Sequence, residues 1–238
     1  LENLLAAVTD RPNIAMVGPK ILGWNDRSHL LEVGISIARN GARWTGLEKD
    51  EYDQGQHDGI FEVLSVSTAG ALIRRSVFEE LGGFDEKLDL FRDDVDFGWR
   101  VHAAGQSVLV NTDAVIYHAE AAASERREVD VDEAFLHRPH LLDRRNAAYV
   151  LLTNSTWWML PFISLQVTGA ALARAIGYLF AKLPGYASDE LLALLKLFTR
   201  PDLVRAGRKW RKEDRLVSPR DRKSTRLNSS HVRTSRMP

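Results

Sequence analysis

The sequence predicts a mixed α/β domain followed by an α-helical, membrane-associated region. Three observations carry this. Short apolar runs alternate with helical periods over residues 1–119, the pattern of an α/β layer structure. Character changes at about residue 120, where a charged stretch begins. Then Asn146 to Ala173 runs without a single Asp, Glu, Lys or Arg. Such a stretch is long enough to cross a hydrocarbon core of roughly 30 Å.

The elements follow in order. The opening Leu1-Glu2-Asn3-Leu4-Leu5-Ala6-Ala7-Val8 reads as a helix. Residues 13–18 form an apolar run that ends at Gly18-Pro19, which suits a buried strand. Leu30 to Ala38 is a second strand, and residues 39–59, rich in Gly, Asp and Gln, form a surface loop. Phe61 to Ser67 and Gly70 to Ile73 are strand-like. Ser76 and Glu79 have capping-box spacing, with Gly82-Gly83 as the stop of the short helix they start. Asp94 to Ala104 is an amphipathic helix closed by Gly105, with Val95, Trp99, Val101 and His102 on one broad face. Ser107 to Val110 and Ala114 to Tyr117 are two further short strands.

Residues 121–145 read as a charged linking or helical stretch, and 146–215 as hydrophobic and amphipathic helices. The uncharged run is interrupted by Thr153, Asn154, Ser155, Thr156, Pro161, Ser164 and Gln166, with Trp157 and Trp158 suited to a membrane interface. A spanning helix and a re-entrant or interfacial one fit equally, ahead of a helix buried in a soluble core. Ser188 caps a helix through Phe198, and Pro201 opens a basic helix, Asp202 to Lys212, that suits an anionic lipid surface. Residues 216–238 are a basic tail without apolar period. From about residue 222 it resembles translated adaptor sequence and is set aside from the fold.

Composition narrows the function classes. The 238 residues include no cysteine, which excludes disulfides and thiolate metal sites. Net charge is zero but uneven. Residues 200–238 hold 13 Lys and Arg against 4 Asp and Glu, leaving 19 against 28 in the first 199. An acidic body suits a metal-assisted site better than a nucleic-acid groove, and no nucleic-acid partner is expected.

The segment with most chemical content is Gly82-Gly83-Phe84-Asp85-Glu86-Lys87-Leu88-Asp89-Leu90-Phe91-Arg92-Asp93-Asp94-Val95-Asp96-Phe97-Gly98-Trp99-Arg100. Carboxylates this crowded repel one another unless a cation, a helix N-terminus or a proton relieves them. Asp93 and Asp94 stand where a helix begins. A carboxylate held there at a pocket mouth can accept a proton from a hydroxyl. Charge spacing alone favours a capped surface helix. Asp96 and Arg100 are four apart with the acid first, the favourable order for a helix-stabilising pair.

The succession Ser67-Thr68-Ala69-Gly70-Ala71-Leu72-Ile73-Arg74-Arg75, Gly82-Gly83-Phe84-Asp85, Asp93-Asp94-Val95-Asp96 with Arg100, and Tyr117-His118 resembles the second half of family 2 glycosyltransferases of the GT-A (Rossmann-like) fold. Val17-Gly18-Pro19-Lys20 matches the strand preceding it. The resemblance covers about residues 1–120, so these read as part of a GT-A domain. It extends loosely into the apolar segment, similar to the membrane-associated tail of bacterial cell-envelope members.

That resemblance implies a metal-dependent, inverting transfer of a sugar from a nucleoside diphosphate to a cell-envelope polysaccharide or glycolipid. The place is the cytoplasmic side of a bacterial inner membrane. It makes Asp94 the general base and Asp93 a partner that shares or orients the role. Thr68, Ala69 and Gly70 would line the sugar side, and Gly83, Phe84 and Asp85 the acceptor side. Asp96 and Arg100 would support the helix, and His118 would ligate a divalent Mg or Mn ion. The family's nucleotide-binding half and its Asp-x-Asp would precede Leu1, so this stretch alone is expected to be inactive. Two other readings compete: a non-catalytic membrane-docking module built on the basic helix, and a metal-dependent phosphoester hydrolase built on the aspartates. The second leaves the Gly-Gly-Phe-Asp turn unexplained.

Overall fold

Strand β1, Ile14–Gly23, is buried along all ten residues and forms the spine of the sheet. The computed structural model describes residues 1–38, 40–88, 90–119 and 138–213. The expectations for residues 121–137, for the tail at 216–238 and for Asp89 lie outside these. The first half of the chain is a mixed α/β domain with a curled five-stranded sheet, ordered β2-β1-β7-β5, and with β6 also pairing β1. Here β2 is Leu30–Glu32, β5 Ile60–Glu62, β6 Leu72–Ile73 and β7 Ser107–His118. A small hairpin, β3 (Ser36–Ile37) with β4 (Arg43–Trp44), stands apart. Strands β1 and β7 run parallel; β2 and β6 are antiparallel to β1, and β5 to β7.

One irregularity corrects two readings of the sequence. The run ending at Gly18-Pro19 in fact continues to Gly23, and the two short strands 107–110 and 114–117 are one. The register of β1 on β7 jumps after Pro19, from Pro19 opposite Asn111 to Lys20 opposite Val115. Proline has no N–H for a ladder, so a central strand accepts it where the pairing is interrupted. The expected strand Leu30–Ala38 is likewise broken, by Gly34 at φ 81, into β2 and β3.

Helix α1 is Glu2–Val8, α2 Arg75–Glu80 and α3 Asp93–Ala103. Helix α2 has no capping box: Arg74 is its N-cap with no side-chain bond, and Arg75 Nε instead pairs Glu79 at 2.7 Å. Gly82 and Gly83 close it as expected, both left-handed, with the Gly83 amide donating to the Phe78 carbonyl. The core joins Met16, Val66, Phe97, Val101, Val108 and Val110. Helix α3 lies so close to the chain at Leu64 that a Cβ on Gly98 would stand 2.3 Å from the Leu64 carbonyl oxygen.

Among the described residues four α-helices follow: α4 Pro139–Asn154, α5 Leu160–Phe180, α6 Pro184–Phe198 and α7 Pro201–Glu213. Each has a proline in its first turn, where a missing N–H costs nothing. The uncharged run 146–173 is not one helix. It divides at Ser155 and Thr156, both extended, before a 3-10 turn at Trp157–Met159. Its first part, Asn146 to Asn154, is buried inside the protein. Trp157–Phe180 is the one helical stretch among the described residues long and apolar enough to cross a membrane.

Candidate active site at the start of helix α3

Helix α3 begins after two consecutive left-handed residues, Phe91 at φ 65 and Arg92 at φ 70. Such geometry costs about 1–3 kcal/mol per non-glycine residue and persists only where the surroundings enforce it. Helix α4 does so here. The buried Arg92 guanidinium donates to Asp143 at 2.7 and 3.1 Å and to the Gly41 carbonyl at 3.0 Å. Asn146, fully buried, donates to the carbonyls of Leu90 and Phe91 at 2.6 and 3.2 Å. Burial pushes the Asp143 carboxyl up, but the bond to Arg92 and the charges of Arg92, Arg144 and His140 together hold it below the usual range.

The turn delivers Asp94 to a nearly enclosed position, 8% exposed. Its Oδ1 accepts the Val95 amide at 2.7 Å, and Ser65 Oγ donates to its carbonyl at 2.6 Å. Arg43 Nη2 lies 3.3 Å from Asp94 Oδ2 and 2.5 Å from Glu32 Oε2. The other Glu32 oxygen accepts the Ser67 amide at 2.8 Å. Four segments thus meet: β2, β4, the Ser67 turn and the start of α3. Burial raises the Glu32 carboxyl to about 7, with Arg43 and the Ser67 amide opposing and Asp94 adding to the rise. Asp93, half-buried, is also raised, by burial first and by Asp94 second. Three carboxylates around one guanidinium leave the site short of positive charge, and of these Glu32 and Asp93 hold their protons more readily than a free carboxyl.

Asp96 faces the other way and is fully buried. Its Oδ2 accepts Arg100 Nε at 2.9 Å, and its Oδ1 accepts Asn154 at 2.7 Å and Arg211 at 2.5 and 3.1 Å. Arg100 reaches on to the carbonyls of Leu81 and Gly83, both at 2.6 Å. Asp85 belongs to this same knot. Its Oδ2 accepts Arg211 at 2.9 Å and the Tyr149 hydroxyl at 2.8 Å, while Oδ1 accepts the Lys87 amide. With 3% exposure it has no free face for an acceptor, so its work is to fasten helices α4 and α7 to the domain. The basic helix α7, expected at a lipid surface, turns Arg211 inward to the knot; Arg205 and Lys212 remain exposed.

The remaining candidates divide by place. Thr68 and Ala69 are exposed in the turn that Ser67 begins, and Gly70 packs beside Pro19 and Ile116. The bond from Ser67 to Glu32 ties this turn to the Asp94 cluster. Phe84 is half-buried among Phe78 and Phe97, with ring centroids 5.1 and 5.5 Å away, so it packs into the core beside Gly83. His118 ends β7 opposite Gly23. Among the described residues no three His, Asp or Glu side chains converge to hold a metal ion.

Sequence reasoning missed Glu32, Arg43, Asp143, Asn146 and Arg211. A signal existed for one: Glu32 interrupts the apolar Leu30-Leu31-Glu32-Val33. A charge inside a buried strand calls for a partner.

Comparison with known proteins adds the family dimension. The family model described as "Glycosyltransferase like family 2" matches residues 1–130. The chain is 41% identical over 71 residues to the O-antigen biosynthesis protein RfbC of Myxococcus xanthus, covering 30% of this chain and 5% of that protein. It is 32% identical over 92 residues to the N-acetylglucosaminyl-diphospho-decaprenol L-rhamnosyltransferase of Mycobacterium tuberculosis, covering 38% of this chain and 27% of the relative. These matches span only a small part of either relative's length.

Proposed function

We propose, from the premise that this chain belongs to the glycosyltransferase-like family 2, that it supplies the acceptor-activating side of a sugar-transfer site, with Asp94 as general base. The observation that carries this is the placing of Asp94. A strained turn sets its carboxylate at a helix N-terminus, nearly enclosed and beside one shared guanidinium. In the reaction, an acceptor hydroxyl gives its proton to Asp94 while its oxygen bonds to the anomeric carbon. The bond from that carbon to the diphosphate breaks on the opposite face, and the nucleoside diphosphate leaves with the electron pair. The configuration inverts. A positioned base contributes about 10²- to 10⁴-fold to such a step. Asp93 orients the base or its water. Thr68, Ala69 and Gly70 line the sugar side. A divalent ion, which the family resemblance implies, needs ligands beyond His118, and no step here runs through it.

The acceptor in this reading is a cell-envelope polysaccharide or a glycolipid at the cytoplasmic face of a bacterial inner membrane. The two relatives' names, O-antigen biosynthesis and transfer to a diphospho-decaprenol, support the class. So do helices α5 and α6, a hairpin whose outer face exposes Phe162, Leu165, Phe180, Leu191 and Leu195. The geometry favours a hairpin lying in the interface over one that crosses. Helix α6 has 15 residues, about 22 Å at roughly 1.5 Å per residue, short of the roughly 30 Å core. Between the two helices Arg174 makes paired bonds of 2.8 and 2.9 Å to the fully buried Glu190.

The test is acceptor-dependent release of nucleoside diphosphate by the full-length protein. The probes are dTDP-L-rhamnose, UDP-glucose and UDP-N-acetylglucosamine, each with a polyprenyl diphospho-N-acetylglucosamine. Release with one donor, rising with acceptor, is expected. No release above the donor-only blank with any of them contradicts the transfer reading as applied to this acceptor class.

A further inference from the structure

The Asp94 cluster contains a carboxylate that neither the reaction above nor the core requires. Glu32 is 5% exposed and sits on a three-residue strand paired to β1. A buried carboxylate is costly, and an apolar residue there would pack without that penalty. Its two oxygens have separate jobs. Oε1 accepts the Ser67 amide, at the head of the turn carrying Thr68, Ala69 and Gly70. Oε2 takes Arg43 Nη2, the same nitrogen that faces Asp94. Arg43 is 36% exposed in its side chain and rises from a two-residue strand of a hairpin outside the main sheet. Among the described residues it forms ion pairs with Glu32 and Asp94.

We propose that Glu32 is a positioning residue for the transfer step, holding the Arg43 guanidinium against Asp94 with one oxygen and the Ser67 turn with the other. This rests on the reading of Asp94 as base. Glu32 sets the distance between the base and the loop beside which the sugar would lie, and it keeps Arg43 from pairing with Asp94 alone. A guanidinium given over wholly to the base would compete with the acceptor proton for the Asp94 oxygens.

The groups facing Glu32 are Arg43 from β4, Asp94 from α3 and the Ser67 amide. Protonation of Glu32 near pH 7 would release Arg43, so activity should step up through that region as pH rises. The experiment compares the full-length protein with E32Q, R43K and D94N, using the donor and acceptor probes named above. It reads kcat and donor KM from pH 5 to 9, donor binding by calorimetry and unfolding temperature. In E32Q, kcat is expected to fall 10- to 100-fold with donor KM within about twofold, and the inflection near pH 7 should vanish. In R43K, which changes a half-exposed side chain and should fold if E32Q does not, kcat falls while donor binding stays. An inactive D94N beside E32Q and R43K that keep wild-type kcat and the same inflection overturns the role of Glu32. An active D94N overturns the base assignment instead.

Discussion

Arg211 offers the sharpest test of how the helices are joined to the domain. It is 2% exposed and reaches back from α7 to two buried carboxylates, Asp85 at 2.9 Å and Asp96 at 2.5 Å. Replacing it with Met keeps most of the stem volume and removes the charge. Asp96 retains Arg100 and Asn154, and Asp85 retains Tyr149 and the Lys87 amide, but each loses its contact with this cation. Removing one partner of a buried ion pair costs about 3–5 kcal/mol, because the other charge stays buried. With a urea m-value of about 3 kcal/mol per M, the unfolding midpoint should fall by about 1–1.7 M. Arg205→Met, on the exposed side of the same helix, should move stability by under about 0.5 kcal/mol. Urea titrations followed by circular dichroism read both. Equal, small shifts for the two variants would refute the knot as the joint between helix and domain.

Three further outcomes follow. Asn146→Ala removes both donors from the carbonyls of Leu90 and Phe91, and should cost about 1–3 kcal/mol in the same titration while lowering kcat, since the strained turn before Asp93 relaxes. Glu32 has its folded carboxyl raised from 4.5 to about 7, so its proton is held more tightly in the folded state. The stability this adds is full below about pH 4.5 and is lost as pH rises to about 7, by as much as about 3 kcal/mol at roughly 1.36 kcal/mol per pH unit. E32Q should flatten that window in unfolding measured against pH; Asp93, also raised, contributes the slope that remains. Replacing exposed Phe162, Leu165 and Phe180 together by Ser should leave the unfolding temperature within a few degrees and reduce flotation with phosphatidylcholine–phosphatidylglycerol vesicles. Unchanged flotation would contradict the interfacial hairpin.

Much of the local structure was legible in the sequence. The stop at Gly82-Gly83 and the helix near Asp94 follow from chain chemistry over a few residues, and the fold shows both. The Asp96–Arg100 pair is local too, four apart on one helix. What stayed hidden depends on distance along the chain. The bulge opposite Pro19 is set by β7, more than ninety positions later, so each strand read in isolation came out short. Asp85 sits in a turn that resembles a binding motif, yet its carboxylate is taken by Arg211, 126 residues away. The uncharged run from Asn146 looked like one apolar segment because its polar residues, Asn146 and Asn154, bond to groups that only folding brings near. Glu32 and Arg43 share no period or motif with Asp94; a fold is needed to bring them to one guanidinium.

The central claim is that Asp94 takes the acceptor proton, and D94N measures it directly. The substitution is nearly isosteric, keeps an oxygen for the Val95 amide and removes the basic group. In the full-length protein, single-turnover transfer from the donor active in the release assay should fall by about 10²- to 10⁴-fold, while donor affinity by calorimetry stays within about twofold. Transfer within a few-fold of the unsubstituted protein would contradict the account.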